Sequence, residues 1–253
     1  MAGRLTRGSA ISNAKKLFGG RGAVFTPSRE TLWALKDWVS AWGHSAAILA
    51  HRALTGSGRR SHPARAAAQG PVAVLLPGVW ERWEVLSKWG RALAANGFDV
   101  RFVPELDLQL GSLESLGQAL SAFLEAGGLE DVLVVAHSKG GLVAKKTMIG
   151  PQGWRIRRLI SCGTPHQGAP LAALSPKALK MRDLRPQEKQ IRELASSTDV
   201  NTRIVAIQAK WDQNVPWMDS LPCGKVVTAN VRGHHRILRA PETLALVVRY
   251  ALN

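Results

Sequence analysis

The chain is expected to fold as an α/β protein, with a mostly parallel central sheet flanked by helices and a basic helical N-terminal extension. Three observations predict this. From residue 72 onward, short apolar runs alternate with segments of helical periodicity. Gly, Pro or polar clusters punctuate the joins. The third main apolar run passes directly into His137-Ser138-Lys139-Gly140-Gly141, a tight turn that opens a helix. Strands separated by helices run parallel and are covered on both faces.

Taken in order, residues 1–27 are Gly-rich, basic and non-periodic, and read as a loose tail. Residues 28–54 read as a helix. Ser28 is its N-cap candidate, and Leu32, Leu35, Trp38 or Val39, Trp42, Ala46 and Leu49 recur at helical spacing. Two roles are open for this stripe. It packs on the rest of the chain, or it meets a membrane or partner, since Trp33, Trp38 and Trp42 lie among basic flanks. Residues 55–71 have linker composition. The domain reading is therefore 1–70 as a basic extension with one amphipathic helix and a linker, and 71–253 as the main domain. The extension is expected to bind a surface and to stand apart from the chemistry.

Within the main domain, strands are expected at 72–76, 99–103, 131–135, 157–161, 203–208 and 225–230. Helices are expected at about 80–96, 112–126, 140–148 and 241–252. The stretch between Gly168 and Thr202 is partly helical, at 186–196, and has the size of a small lid.

Composition narrows the classes. Apolar residues make up 45% and charged residues 21% of 253, ordinary globular usage that excludes a disordered or collagen-like chain. The net charge is +16, and residues 1–70 carry more than half of it, with eleven Lys and Arg against two acids. Such a charge favours anionic partners. A peripheral contact with an anionic membrane is one expectation. Nucleic-acid binding rests on charge alone, without a recognition motif. Cys162 and Cys223 are too few for a disulfide scaffold and read as reduced. No apolar run approaches the roughly 20 residues of a membrane span, and no apolar core follows the basic N-terminus as in a signal peptide. The expected location is cytoplasmic, with surface contact to membrane. No metal-ligand spacing or phosphate-cradling loop stands in the sequence, so no cofactor is expected.

The turn at Ser138 carries the chemistry. A strand that turns sharply into a helix forces the central residue into a strained conformation and brings its flanks close. Ala136 and Gly140 supply the small flanks. Around this elbow, further segments fall in a telling order. They are Pro77-Gly78-Val79-Trp80 after the first strand, Gly163-Thr164-Pro165-His166-Gln167-Gly168, Asp183-Leu184-Arg185-Pro186, Asp212-Gln213-Asn214-Val215-Pro216, and Gly233-His234-His235 before Ile237-Leu238.

On these motifs, residues 72–253 resemble an α/β-hydrolase of the lipase/esterase type. Pro77 stands where these proteins usually have His, and Ala136 where they usually have Gly. In that fold the nucleophile, acid and histidine follow one another along the chain, and Ser138, Asp212 and His234 stand in that order. Asp212 lies just past an apolar run, where the ligand-facing end of a parallel sheet belongs. Asp219 and Asp183 are the alternatives. His234 follows Gly233 as the catalytic histidine does in the proteins it resembles, with His235 as the alternative. The resemblance implies an oxyanion hole from the N–H groups of Val79 and Lys139, and the Lys139 ammonium is a second candidate for an acidic substrate. Trp80, His166 and Trp211 are substrate-binding candidates, and Trp83 and Trp217 also fall in or near site loops. Packing is the competing role for the tryptophans, and a structural hydrogen bond for His166. His137 is expected to pack or cap. The implied activity is hydrolysis of a carboxylic ester or lipid through an acyl-enzyme on Ser138. A thioesterase, amidase or acyltransferase would use the same residues, and a non-catalytic binding protein would keep the scaffold.

Overall fold

A computed structural model describes residues 28, 30–37, 39, 43, 70–174, 181–215 and 221–253. Its centre is one six-stranded sheet, with β1 Val72–Leu76, β2 Asp99–Phe102, β3 Val132–His137, β4 Ile156–Cys162, β5 Ile204–Trp211 and β6 Lys225–Arg232. The order across the sheet is β2-β1-β3-β4-β5-β6, and every pair is parallel. All six predicted strands are present, with ends shifted by a few residues.

Alternation along each strand feeds two cores. In β1, Val74 and Leu76 face one side, and Ala73 and Leu75 the other. The first side is covered by α2 (Leu113–Ala126), α3 (Lys139–Ile149) and α4 (Lys189–Ser196), through Leu116, Leu120, Leu142, Met148 and Ile191. The second is covered by α1 (Ser87–Ala95) and α5 (Pro241–Leu252), through Trp89, Leu93 and Val247. The helix expected at 80–96 is broken in two. A 3₁₀ turn at Trp83–Leu86 precedes α1, because residues 78–82 form a loop in which the Gly78 N–H bonds to Glu81 Oε2 and the Trp80 N–H to the Leu108 carbonyl. Ser112 caps α2 by accepting the Ser115 N–H at 3.1 Å.

Residues 30–37 are helical, and Ser28 is the expected cap, accepting the Thr31 N–H at 3.2 Å. The face it buries differs from the expected one. Leu32, Leu35 and Val39 are exposed, while Asp37 is fully buried. Trp33 meets the Trp211 ring edge-on at 5.9 Å, and the Arg232 guanidinium lies over it at 4.8 Å. The helix thus packs through Trp33 and Asp37, because the end of the sheet offers hydrogen-bond donors and a cation there rather than an apolar groove. The parts of the expected stripe at Trp38, Trp42, Ala46 and Leu49, and the linker at 55–69, lie outside the described residues. The expected lid is represented by short 3₁₀ turns at Pro170–Leu174 and Arg182–Leu184 and by α4. Both cysteines are free. Among the described residues no helix is long and apolar enough to cross a membrane.

Candidate active site

β3 ends at His137 and α3 begins at Lys139, so Ser138 is the whole turn. Its φ of 51° and ψ of −124° lie in a region that side chains other than glycine rarely adopt. The turn is held by the Ser138 N–H donating to the Cys162 carbonyl at 2.9 Å, and by the Thr164 hydroxyl donating to the Ser138 carbonyl at 2.9 Å. Gly140 is required here, since a Cβ would sit 2.5 Å from the Pro77 carbonyl oxygen and 2.7 Å from that of Leu76. The loop after β1 therefore crosses directly over the start of α3.

Three side chains from three strand ends converge. His234 Nε2 is 3.0 Å from Ser138 Oγ, and His234 Nδ1 is 2.8 Å from Asp212 Oδ2. Asp212 follows β5 by one residue, and its Oδ1 accepts the N–H groups of Asn214 at 2.8 Å and Val215 at 3.0 Å. All three residues are buried. Burial alone would raise the Asp212 carboxyl, but the attraction and hydrogen bond of His234 and the two backbone donors outweigh it and hold it below its ordinary value. The carboxylate thus stays ionised and orients the imidazole with Nε2 toward the serine. His235 does not take part in this chain.

A second layer of polar groups lies behind the first, and sequence reasoning missed most of it. Asp37 Oδ1 accepts the Arg236 N–H at 2.9 Å. Its Oδ2 lies 3.0 Å from His235 Nδ1, and accepts the His235 N–H at 3.0 Å and the Gln213 amide at 2.7 Å. Gln213 Oε1 in turn accepts the His234 N–H at 3.2 Å. Burial opposes ionisation of Asp37, and these bonds overcome it, so its carboxyl sits far below the ordinary range. Gly233, with φ of 119°, has no room for a side chain because Asp37 occupies the space. The histidine loop is therefore clamped by the extension, contrary to the expectation that the extension stands apart from the chemistry. The available signal was weak: Asp37 is one of only two acids in the first 70 residues.

On the other side, His137 Nδ1 is 2.7 Å from Glu81 Oε2, and His137 Nε2 is 3.1 Å from the His234 carbonyl. A carbonyl only accepts, so Nε2 carries a proton. Glu81 Oε2 also accepts the Gly78 N–H at 2.7 Å. Burial would neutralise both partners, but their mutual attraction prevails, raising His137 and holding Glu81 down at about 2. A buried imidazolium–carboxylate pair thus joins the loop after β1 to the histidine loop. The expected packing role of His137 has this form.

The Val79 and Lys139 N–H groups have no acceptor among the described residues. The first is in the loop that crosses the elbow, and the second is the first residue of α3, whose N-terminal end favours negative charge. The Lys139 ammonium is otherwise engaged. It donates to Asp183 Oδ2 and to the Gly111 carbonyl, each at 2.8 Å, and is fully buried, which removes it as a contact for an acidic substrate. Asp183, one of the alternative acids, is thereby accounted for. Asp219 and Trp217 lie outside the described residues.

His166 is buried with Nε2 2.9 Å from Ser161 Oγ, and burial together with nearby Lys145 pushes it down to about 3. This is the structural role, a neutral histidine bracing the loop after β4, rather than the substrate contact. Trp80 is exposed, at φ of 61°, and its N–H donates to the Leu108 carbonyl at 2.8 Å. Trp211 packs on Trp33, and Trp83 on Phe102 at 5.0 Å. Among the described residues no cluster of three or more His, Cys, Asp or Glu has the makings of a metal site.

Comparison with known proteins agrees with this fold. The model of the PGAP1-like alpha/beta domain matches residues 116–210, a segment that includes Ser138 but stops before Asp212 and His234. No curated protein matches the sequence. Among solved structures, the mature form of Bacillus licheniformis lipase BlEst2 is similar at 18% identity, over 76% of this chain and 94% of that one, with a TM-score of 0.56. Aspergillus fumigatus lipase B is similar at 15% identity, over 74% of this chain and 54% of that one, with a TM-score of 0.57. A bromoperoxidase from Bacillus anthracis is similar at 14% identity, over 73% and 92%, with a TM-score of 0.55. At these identities the likeness is one of fold. Its parallel sheet order, its strand–Ser138–helix elbow and these neighbours show that the chain has an α/β-hydrolase fold.

Proposed function

We propose that the protein is a serine hydrolase that cleaves carboxylic esters through an acyl-enzyme on Ser138. The observation that carries this reading is the continuous chain Ser138 Oγ, His234 Nε2, His234 Nδ1, Asp212 Oδ2, with links of 3.0 and 2.8 Å. A serine hydroxyl is a poor nucleophile unless a base takes its proton as it attacks. His234 removes that proton, and Ser138 Oγ bonds to the carbonyl carbon. The charge that develops on the carbonyl oxygen is met by the N–H groups of Val79 and Lys139. The proton on His234 then passes to the leaving alcohol, and the acyl group stays on Ser138. A water molecule gives one proton to His234 as it attacks the acyl carbon, and His234 passes that proton to Ser138 Oγ as the acyl–oxygen bond breaks and the carboxylic acid leaves. Asp212 steadies the imidazolium that forms twice in this cycle.

Two lipases among the similar structures support a lipid or fatty ester as substrate. Exposed Leu32, Leu35 and Val39, on the outer face of a basic extension, fit a peripheral contact with an anionic membrane that would bring the enzyme to such a substrate. The test is labelling with a fluorophosphonate probe, followed by a panel of p-nitrophenyl esters of increasing chain length beside a thioester and an anilide. Wild type is expected to label at one serine and to turn over esters fastest. Ser138→Ala, remaining folded by circular dichroism, is expected not to label and to lose turnover by a factor on the order of 10⁶. Equal labelling of the variant would sink the assignment.

A further inference from the structure

A second cleft lies on the outer side of the histidine loop, with a volume of about 550 Å³. Trp33 of the extension forms one wall. Arg232 at the end of β6, Arg236 and Arg239 beyond His234, and Pro241 and Glu242 at the start of α5 form the rest. Ser138, Asp212 and His234 do not line it, so it is separate from the candidate active site.

Its charge is unbalanced. Three arginines line it with a single glutamate. Glu242 is itself engaged, accepting the Asn230 N–H at 3.0 Å. Among the described residues no carboxylate pairs with Arg232 or Arg236, while other arginines of the chain, such as Arg82, Arg101 and Arg155, do have carboxylate partners. Like charges gathered in a cleft repel one another and raise the local potential for an anion. Two features pre-organise the site. The Arg232 guanidinium is stacked over the Trp33 ring, and the Arg236 backbone is pinned by Asp37. The twelve-residue helix α5 starts at the same cleft, and its N-cap, Ala240, has no side-chain acceptor for the first-turn N–H groups.

We propose that this cleft binds the phosphate group of a phosphorylated small molecule or lipid headgroup. A phosphate monoester brings up to two charges and three terminal oxygens, which several guanidinium forks and a helix N-terminus satisfy together. A carboxylate has one charge and two oxygens and leaves part of the donor set unused. The volume exceeds that of a phosphate ion and falls in the range of small-molecule sites, with Trp33 and Val231 offering apolar surface to the remainder of the ligand. Because Trp33 belongs to the extension and Arg236 to the histidine loop, a ligand that spans them ties the extension to the domain and raises the melting temperature as its concentration rises above its Kd.

The test is calorimetric titration of the full chain with inorganic pyrophosphate at physiological salt. One saturable site is expected, weakened roughly tenfold or more in the double variant R232S/R236S, as loss of charge-assisted hydrogen bonds implies. The variant K88S/R91S removes the same charge from exposed positions on α1 and is expected to bind as wild type does. Vesicles of phosphatidylcholine with and without phosphatidic acid distinguish the sources. Retention that needs phosphatidic acid, is competed by pyrophosphate and is lost in R232S/R236S assigns a lipid headgroup. Saturable pyrophosphate binding without such retention assigns a free phosphate ester. Absence of saturable binding, or equal weakening in K88S/R91S, overturns the proposal.

Discussion

Asp212 makes three hydrogen bonds at once, one to His234 and two from the backbone just beyond it. Asp212→Asn keeps the shape but lets the amide stabilise the wrong histidine tautomer. Turnover is expected to fall by roughly 10⁴, measured on a soluble ester. His234→Gln is expected to be as damaging as loss of Ser138, whereas His235→Gln keeps most activity, because His235 touches Asp37 and not the serine. Glu81 gives a pH prediction. Its unfolded value is 4.5 and its folded value about 2. The stability it contributes is fully present above about pH 4.5 and lost as the pH falls through about 2. His137 is protonated in both states across that window and adds no slope there. The difference corresponds to about 3 kcal/mol. Urea unfolding from about pH 5 down to about pH 2 should show wild type losing roughly that much more than Glu81→Gln. Parallel curves would refute the ion pair.

At the scale of elements, the contact between helix 30–37 and the histidine loop is the least expected feature. Asp37→Asn removes the charge that holds two backbone N–H groups, Gln213 and His235. It is expected to cost about 2 kcal/mol and to lower kcat by roughly tenfold or more with little change in KM, because the loop loses its alignment while the substrate surface stays. A chain beginning at residue 70 is expected to be more impaired still. Full activity in that shortened chain would show that the clamp has no catalytic consequence. The pair of buried Lys139 and half-buried Asp183 joins α3 to the segment after β4. Asp183→Ala leaves an ammonium buried without its carboxylate, so a loss of about 3 kcal/mol is expected in thermal or denaturant unfolding.

For the molecule as a whole, the net charge of +16 acts at long range. Retention on vesicles of anionic lipid is expected at low salt and should vanish near about 1 M salt, where the Debye length is only about 3 Å. Retention that survives such salt would point to apolar insertion through Leu32, Leu35 and Val39 instead. The charge does not decide the fold. All six parallel strands and both covered faces follow from apolar period and turn residues.

How much of this was legible follows from the range of each interaction. A buried parallel strand announces itself as a continuous apolar run, as in Val132–His137, because both of its faces are covered. The elbow is equally local, since the strain at Ser138 and the close approach at Gly140 restrict neighbouring residues in sequence. Chain order and strand ends then nominate Asp212 and His234. What the tertiary structure alone decided is everything that depends on partners far apart in the chain. The apolar spacing of residues 28–54 pointed to Leu32 and Leu35 as the packed face, yet Trp33 and Asp37 are the residues that dock. A single buried carboxylate leaves no periodic signature; its donors are 176 to 199 residues away. The same holds for Glu81 and His137, which are 56 residues apart. Sequence pattern reports the burial of apolar surface, which repeats along an element. Pairing of buried charges is a point contact, and only the folded chain brings its two ends together.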